Sequence, residues 1–71
     1  MYRREPIKDR NYRTIGFIDI NEETGDKTIT TFSGKILGFY YKNYDRTEDF
    51  YHRIVGRGDQ LVALLYAEGV D

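Results

Sequence analysis

The single histidine is the first residue to test for catalytic chemistry, because a histidine beside a carboxylate can act as a general base. His52 lies close to Asp45 and Asp49 in the sequence. No serine or cysteine nucleophile motif and no second histidine accompany it. The sequence therefore predicts a solvent-exposed turn histidine, no catalytic residues and a protein that is not an enzyme.

Oxygen-bearing side chains at alternate positions suggest a calcium-binding loop, which reads Asp19-x-Asn21-x-Glu23-x-Gly25. An EF-hand needs glycine at position 6 and a bidentate glutamate at position 12. This chain has glycine at position 7 and Thr30 at position 12. We therefore predict a plain hairpin loop, with no metal and no cofactor in the protein.

Tyrosines and basic residues interleave over residues 40–57. Aromatic faces with cations can stack bases and hold phosphates, but Tyr and Arg are also enriched at protein interfaces, and Tyr is a common strand residue. Three uses stay open: a sheet face or self-association surface, a protein partner, or a nucleic acid. The formal net charge of −1 argues against the last. The candidate partner-binding residues are Tyr40, Tyr41, Tyr44, Arg46, Tyr51, His52, Arg53 and Arg57.

The elements that position these residues must form from 71 residues without a cysteine. A chain of this size forms one domain, residues 1–71, and buries only roughly 60% of its unfolded surface. Small domains compensate with disulfides, a metal or oligomerisation, and this composition leaves self-association open. No stretch is apolar enough to span a membrane. We therefore expect a cytoplasmic homo-oligomer.

An internal repeat organises the chain into hairpins. Residues 9–19, 31–41 and 49–59 align on a glycine, with a basic residue three positions before it and an aliphatic residue directly before it. Each unit reads as a short strand, a two-residue turn and a returning strand. The predicted turns are Asn11-Tyr12, Ser33-Gly34 and Tyr51-His52, of which the last has poor turn chemistry.

Sequential short strands separated by turn signals favour an antiparallel meander. We predict strands at about 5–10, 13–20, 27–32, 35–42, 47–50 and 53–57. Asp59 as an N-cap and Gly69 after the last turn bound a short helix, near 60–67. The fold class is therefore mainly all-β, a meander of about six short strands with a C-terminal helix.

The predicted strands at 13–20 and 35–42 carry apolar residues on both faces. A single sheet of this size has too little chain to cover both faces. The economical solution is a second copy of the chain. Glycine weakens a strand unless another backbone approaches closely or a bulge forms, and we expect crowding within the chain or around a symmetry axis, or a bulge. The candidate packing residues are Gly16, Gly38, Phe17, Phe39, Leu61, Leu64 and Leu65.

The repeated segments resemble small bacterial and prophage repeat proteins related to the four-fold β-flower domain. Their repeats read roughly Asp-x-Asn-Gly-Arg-x-x-Gly-x-x-Asp and end in Gly-(Asn/Asp)-x-Leu, which Gly58-Asp59-Gln60-Leu61 matches here. The resemblance covers about residues 8–65. This chain departs from the pattern at Tyr12 and His52, where the family has glycine. The resemblance implies a self-assembling β-meander and no activity.

These observations favour a non-enzymatic, self-assembling protein-interaction module that a phage or mobile element encodes. The partners expected are the chain itself and another protein. The alternatives are an inhibitor of a host defence complex of the anti-CRISPR kind, a small-ligand sponge, or a single-stranded nucleic-acid binder that uses its Tyr and Arg side chains.

Overall fold

The computed structural model describes residues 1–68, which form one antiparallel sheet with a short helix on one side. Each strand pairs with the next along the chain, so the predicted meander is confirmed. The elements are β1 Tyr2–Lys8, β2 Thr14–Asn21, β3 Lys27–Thr31, β4 Ile36–Tyr41, β5 Arg46–Asp49, β6 Ile54–Arg57 and α1 Leu61–Ala67. No helix in this described part is long and apolar enough to cross a membrane.

The three repeated hairpins share one loop geometry. In the first, the Asp9 carbonyl accepts the Tyr12 N–H at 3.0 Å, and the Asp9 N–H donates to the Arg13 carbonyl at 3.0 Å. The other two loops, residues 31–35 and 49–53, repeat both bonds. This is the three-residue hairpin loop in which a turn precedes a left-handed residue. The loops are thus one residue longer than the predicted two-residue turns.

The residue that opens each loop also holds it with its side chain. Asp9 Oδ1 accepts hydrogen bonds from the backbone N–H groups of Asn11 and Arg13, at 2.8 and 3.0 Å. Arg13 Nε donates to Asp9 Oδ2 at 3.3 Å. Asp49 does the same in the third loop, and Thr31 Oγ1 accepts the Lys35 N–H in the second. The repeated basic residue is therefore part of the loop frame in two of the three hairpins.

Each repeated glycine follows a β-bulge. The pairing register shifts within each hairpin, and the extra residue is the aliphatic one before the glycine: Ile15, Leu37 or Val55. Crowding is present as well, since a Cβ on Gly16 would lie 2.6 Å from the Thr30 carbonyl oxygen and 3.1 Å from Leu65 Cδ2. Both a bulge and crowding are therefore present, and the crowding comes from the neighbouring strand and the helix of the same chain.

Helix α1 packs its Leu61 and Leu65 side chains, four residues apart, fully buried against the sheet. They complete a core with Ile15, Ile29 and Leu37.

The start of the helix differs from the prediction. The N-cap is Gln60, whose side chain makes no capping bond to the helix, and the carboxylate of the preceding Asp59 accepts the Leu61 N–H at 3.2 Å. Buried Thr47 fixes this start, because its hydroxyl donates to the Gly58 carbonyl and accepts the Gln60 N–H. The predicted C-terminal glycine, Gly69, lies outside the described residues.

Candidate interaction surface

The sheet face opposite the helix is covered by aromatic rings and cations. Successive strand residues point to opposite faces, so Phe17 lies on the open face while neighbouring Gly16 faces the helix. Its ring stacks on Phe32, with centroids 6.1 Å apart. The Arg4 guanidinium lies 4.7 Å above the Phe17 ring and donates to both carboxylate oxygens of Asp19, at 2.8 and 2.9 Å. These side chains cover part of the open sheet face, for which a second copy of the chain was predicted.

A second stack covers the other half of the open face. The His52 ring lies parallel to Phe39 at 5.2 Å, and its Nδ1 lies 3.1 Å from Glu48 Oε1. Arg46 Nε donates to Glu48 Oε2 at 2.7 Å. Burial opposes ionisation of Glu48, but the bonds from His52 and Arg46 outweigh it and lower its pKa. His52 thus meets Glu48 rather than the Asp45 or Asp49 considered from sequence.

The structure divides the candidate partner-binding residues between both faces and both ends of the sheet. Tyr40 lies half-buried on the helix side and donates its hydroxyl to Asp45 Oδ1 at 2.8 Å. Tyr41 lies near Phe39 on the open face. Arg46 stacks over the Tyr44 ring at 4.8 Å, at the end of the sheet opposite the repeated loops. The remaining four lie in the third hairpin: Tyr51, His52 and Arg53 in its loop and Arg57 in β6.

The candidate packing residues are mostly used inside the chain. Leu61 and Leu65 are fully buried, and Leu64 contacts the position where Gly38 would carry a Cβ. The helix therefore fills the space above Gly16 and Gly38, while Phe17 and Phe39 lie on the other face. A surface for self-association has to be sought elsewhere on the molecule.

The three repeated loops lie together at one end of the sheet, because alternate connections of a meander turn at the same end. Strands are about 4.8 Å apart, so neighbouring loops are spaced by roughly 10 Å. We call residues 9–13, 31–35 and 49–53 the hairpin-tip surface. Its large aromatic side chains are exposed to between 51% and 84% of their area. They are Tyr12, Phe32, Phe50 and Tyr51.

The hairpin-tip surface is basic. It holds four Lys and Arg, namely Arg10, Arg13, Lys35 and Arg53, against the two loop carboxylates Asp9 and Asp49, a net charge of +2. Hydrogen bonds from the backbone N–H groups of Arg13 and Arg53 are the main cause of the lowered pKa values of Asp9 and Asp49, respectively. Both carboxylates pair with cations of their own loops, Arg13 and Arg53, and Lys35 pairs with Glu68, so a partner would meet mainly the exposed rings.

Two loops place a side chain at the left-handed backbone position. Tyr12 has φ 62° and His52 has φ 64°, where the second loop has Gly34 at φ 100°. The left-handed conformation costs a residue other than glycine about 1–2 kcal/mol; it is a true outlier for the bulky Tyr12, whereas histidine is among the residues enriched there. The frame set by the loop aspartates holds both residues there: the Tyr12 side chain is exposed, whereas the His52 ring lies on Phe39.

Sequence reasoning found the third loop but missed its equivalents. Tyr51, His52 and Arg53 were candidates, whereas Arg10, Tyr12 and Phe32 were not. The repeat gave a signal for Tyr12 alone, which occupies the loop position of His52, whereas Arg10 and Phe32 align with Phe50, which was not a candidate either. A groove of about 540 Å³ adjoins the second and third tips. Its lining includes Ile36, Leu64 and Tyr51, and the Lys35–Glu68 ion pair borders it.

Comparison with known proteins finds no relative of this chain. No protein-family model, no curated protein and no solved structure matches the chain. The resemblance to β-flower repeat proteins therefore stays a prediction. Function has to be argued from the surface itself.

Proposed function

We propose that the chain is a small non-enzymatic interaction module that binds another protein through its hairpin-tip surface and assembles with copies of itself. One observation carries the proposal: three loops with the same backbone stand side by side and present large exposed rings among cations. Connecting loops on a rigid scaffold are where binding residues concentrate.

The composition of the tips suits a protein partner. Tyr, Phe and Arg are enriched at protein interfaces, and the aromatic rings among them bury much area at few rotatable bonds. The loop frames are held by their own aspartates, so little ordering remains to be done on binding. The net positive charge of the tips favours an acidic partner surface.

Backbone strain at Tyr12 supports the same conclusion. Strained conformations persist at functional sites, where the side chain is needed in spite of its cost. The Tyr12 ring is 84% exposed, so the cost is not offset by burial within this chain. A contact with a partner would give the ring a role that the folded chain does not.

Site-specific photo-crosslinking tests the proposal. A benzophenone amino acid replaces Tyr12 in one variant and Tyr44, which is 69% exposed at the other end of the sheet, in a matched control. In cells that make the protein, we expect one discrete cross-linked protein from position 12 and none of that mass from position 44. Equal products from both positions, or none from position 12, would contradict binding through the tips.

A single-stranded nucleic acid is the second candidate, favoured by the aromatic rings on the open sheet face. Against it, Arg4 is bound by Asp19, and Arg46 by Glu48, so these cations are already neutralised. A gel-shift assay at low salt decides the matter. A salt-sensitive shift that Arg46→Glu with Arg53→Glu abolishes would favour nucleic acid, and no shift would remove this candidate.

The proposal includes a cytoplasmic setting and a phage or mobile-element origin, with a host defence complex as one kind of protein partner. A chain without cysteine suits a reducing compartment. The gene neighbourhood tests the origin. Neighbouring phage structural or defence-related genes would support it, and an ordinary metabolic operon would count against it.

A further inference from the structure

Strand β6 is built like an inner strand but lies at the edge of the sheet. In the first repeat, Gly16 pairs with Ile7 of its own hairpin and with Thr31 on the other side. In the second, Gly38 pairs with Ile29 and with Asp49 in the same way. In the third, Gly56 pairs with Thr47, and no further strand of the described chain follows it in the sheet. The repeat therefore has one empty strand position.

The exposure of the β6 side chains also indicates a missing neighbouring strand. Val55 is the bulge residue equivalent to Ile15 and Leu37, which are 5% and 8% exposed. Val55 is 39% exposed and its neighbour Ile54 is 65% exposed. An exposed apolar edge strand is a template for pairing with another strand.

The opposite edge of the sheet is protected. Strand β1 carries Arg3, Arg4 and Glu5, followed by Pro6. Charged residues and proline are the usual means of blocking an edge, since proline offers no N–H to a neighbouring strand. A head-to-tail contact between β6 and β1 of another copy would meet this protection and would also build an open fibre.

We infer that β6 pairs antiparallel with β6 of a second copy about a two-fold axis, so that two six-stranded sheets become one. This deepens the self-assembly in the proposed function and rests on it. Two-fold pairing centred on residues 54–57 sets Ile54 opposite Arg57 and Val55 opposite Gly56 of the other copy. The charged residues that flank the joined strands, Arg53 and Asp59, keep their partners Asp49 and Lys27 within each chain, so no like charges meet there, and the pairing closes without leaving an apolar edge.

Light scattering on the full chain and three variants tests the pairing. We expect the wild type at about 100 µM to have roughly twice the monomer mass of 8.4 kDa. Ile54→Lys sets a lysine against Arg57 of the second copy and should weaken the dimer about tenfold or more. Adding Arg57→Glu to this variant should restore the dimer. Tyr2→Lys, at a similarly exposed position of the β1 edge, is the control and should remain dimeric.

Each other outcome is decisive. A monomeric wild type at every concentration would overturn the inference and the self-assembly half of the proposed function, while leaving tip binding to its own test. A dimer that survives Ile54→Lys would overturn the β6 assignment alone, whatever Tyr2→Lys does, and a dimer that both variants dissociate would overturn it as well. If Ile54→Lys does not fold, amide exchange on the wild type replaces it. Protection of β6 amides must then rise with concentration while β1 amides stay unchanged, and the reverse would refute the pairing.

Discussion

The helix side of the sheet and the hairpin tips differ in why a position favours glycine. At Gly16 and Gly38 the backbone would accept a side chain, but the helix and a neighbouring carbonyl leave it no space. At Tyr12 and His52 the space is open, but the backbone is one that glycine adopts more easily. The first region is arranged for close packing, whereas the second keeps an exposed ring, Tyr12, at a position that glycine would adopt more easily. That difference is why we place function at the tips.

The largest expected effect is a loss of stability from a core substitution on the helix side of the sheet. Leu65→Ala leaves a cavity among Leu61, Ile15 and Ile29 and should lower the free energy of unfolding by about 2–5 kcal/mol. In a domain this small, that loss can unfold much of the population. Urea unfolding followed by circular dichroism measures it. Tyr66→Ala, on the exposed side of the same helix, should cost far less, and equal losses would refute the assignment of the core.

The next effect probes the crowding at glycine. A Cβ on Gly38 would overlap Leu64 and lie 2.5 Å from the Glu48 carbonyl oxygen, so Gly38→Ala should cost about 1–3 kcal/mol. Leu64→Ala removes one of the two obstacles. We therefore expect Gly38→Ala to cost less in the Leu64→Ala background, by urea unfolding of all four proteins. Strictly additive costs would mean that the helix does not crowd this position.

A smaller effect concerns pH and the stack on the open face. The lowered pKa of Glu48 means that its ionised form stabilises the fold above the unfolded pKa, about 4.3. This stability is lost as pH falls through the folded value. Glu48→Gln should therefore flatten the decline of stability below about pH 5. Asp9 and Asp49 keep part of that decline in the variant. A pH profile identical to the wild type would contradict the role given to Glu48.

Much of the fold could be predicted because it depends on local chemistry. The repeat alignment on Gly16, Gly38 and Gly56 anticipated three equivalent hairpins, and the change of periodicity after Asp59 anticipated the helix. The strand start at Tyr2 was missed, since the pairing partner Asn21 determines it rather than any apolar pattern in β1. Strand ends depend on partners that a local pattern does not contain.

The site was harder to predict than the fold. Tyr40 and Tyr41 are neighbours in sequence, but they lie on opposite faces of the sheet, so a cluster read along the chain was divided. The left-handed positions of Tyr12 and His52 were hidden for another reason. Side-chain preference argues against them, and the aspartate frame that enforces them is visible only in the hydrogen bonds. Coverage of both sheet faces within one chain was also missed, because rings such as Phe17 lie flat against their neighbours.

The smallest expected change in stability gives the most direct test of the central claim. Tyr12→Gly relieves the left-handed strain and should raise the free energy of unfolding by about 0.5–1 kcal/mol, after the added flexibility of the unfolded chain is deducted. The same variant should bind the protein captured at position 12 at least about tenfold more weakly. Tyr44→Ala should leave that affinity unchanged. A more stable Tyr12→Gly variant with weaker binding is the result we expect. Unchanged affinity for the captured protein would contradict the account.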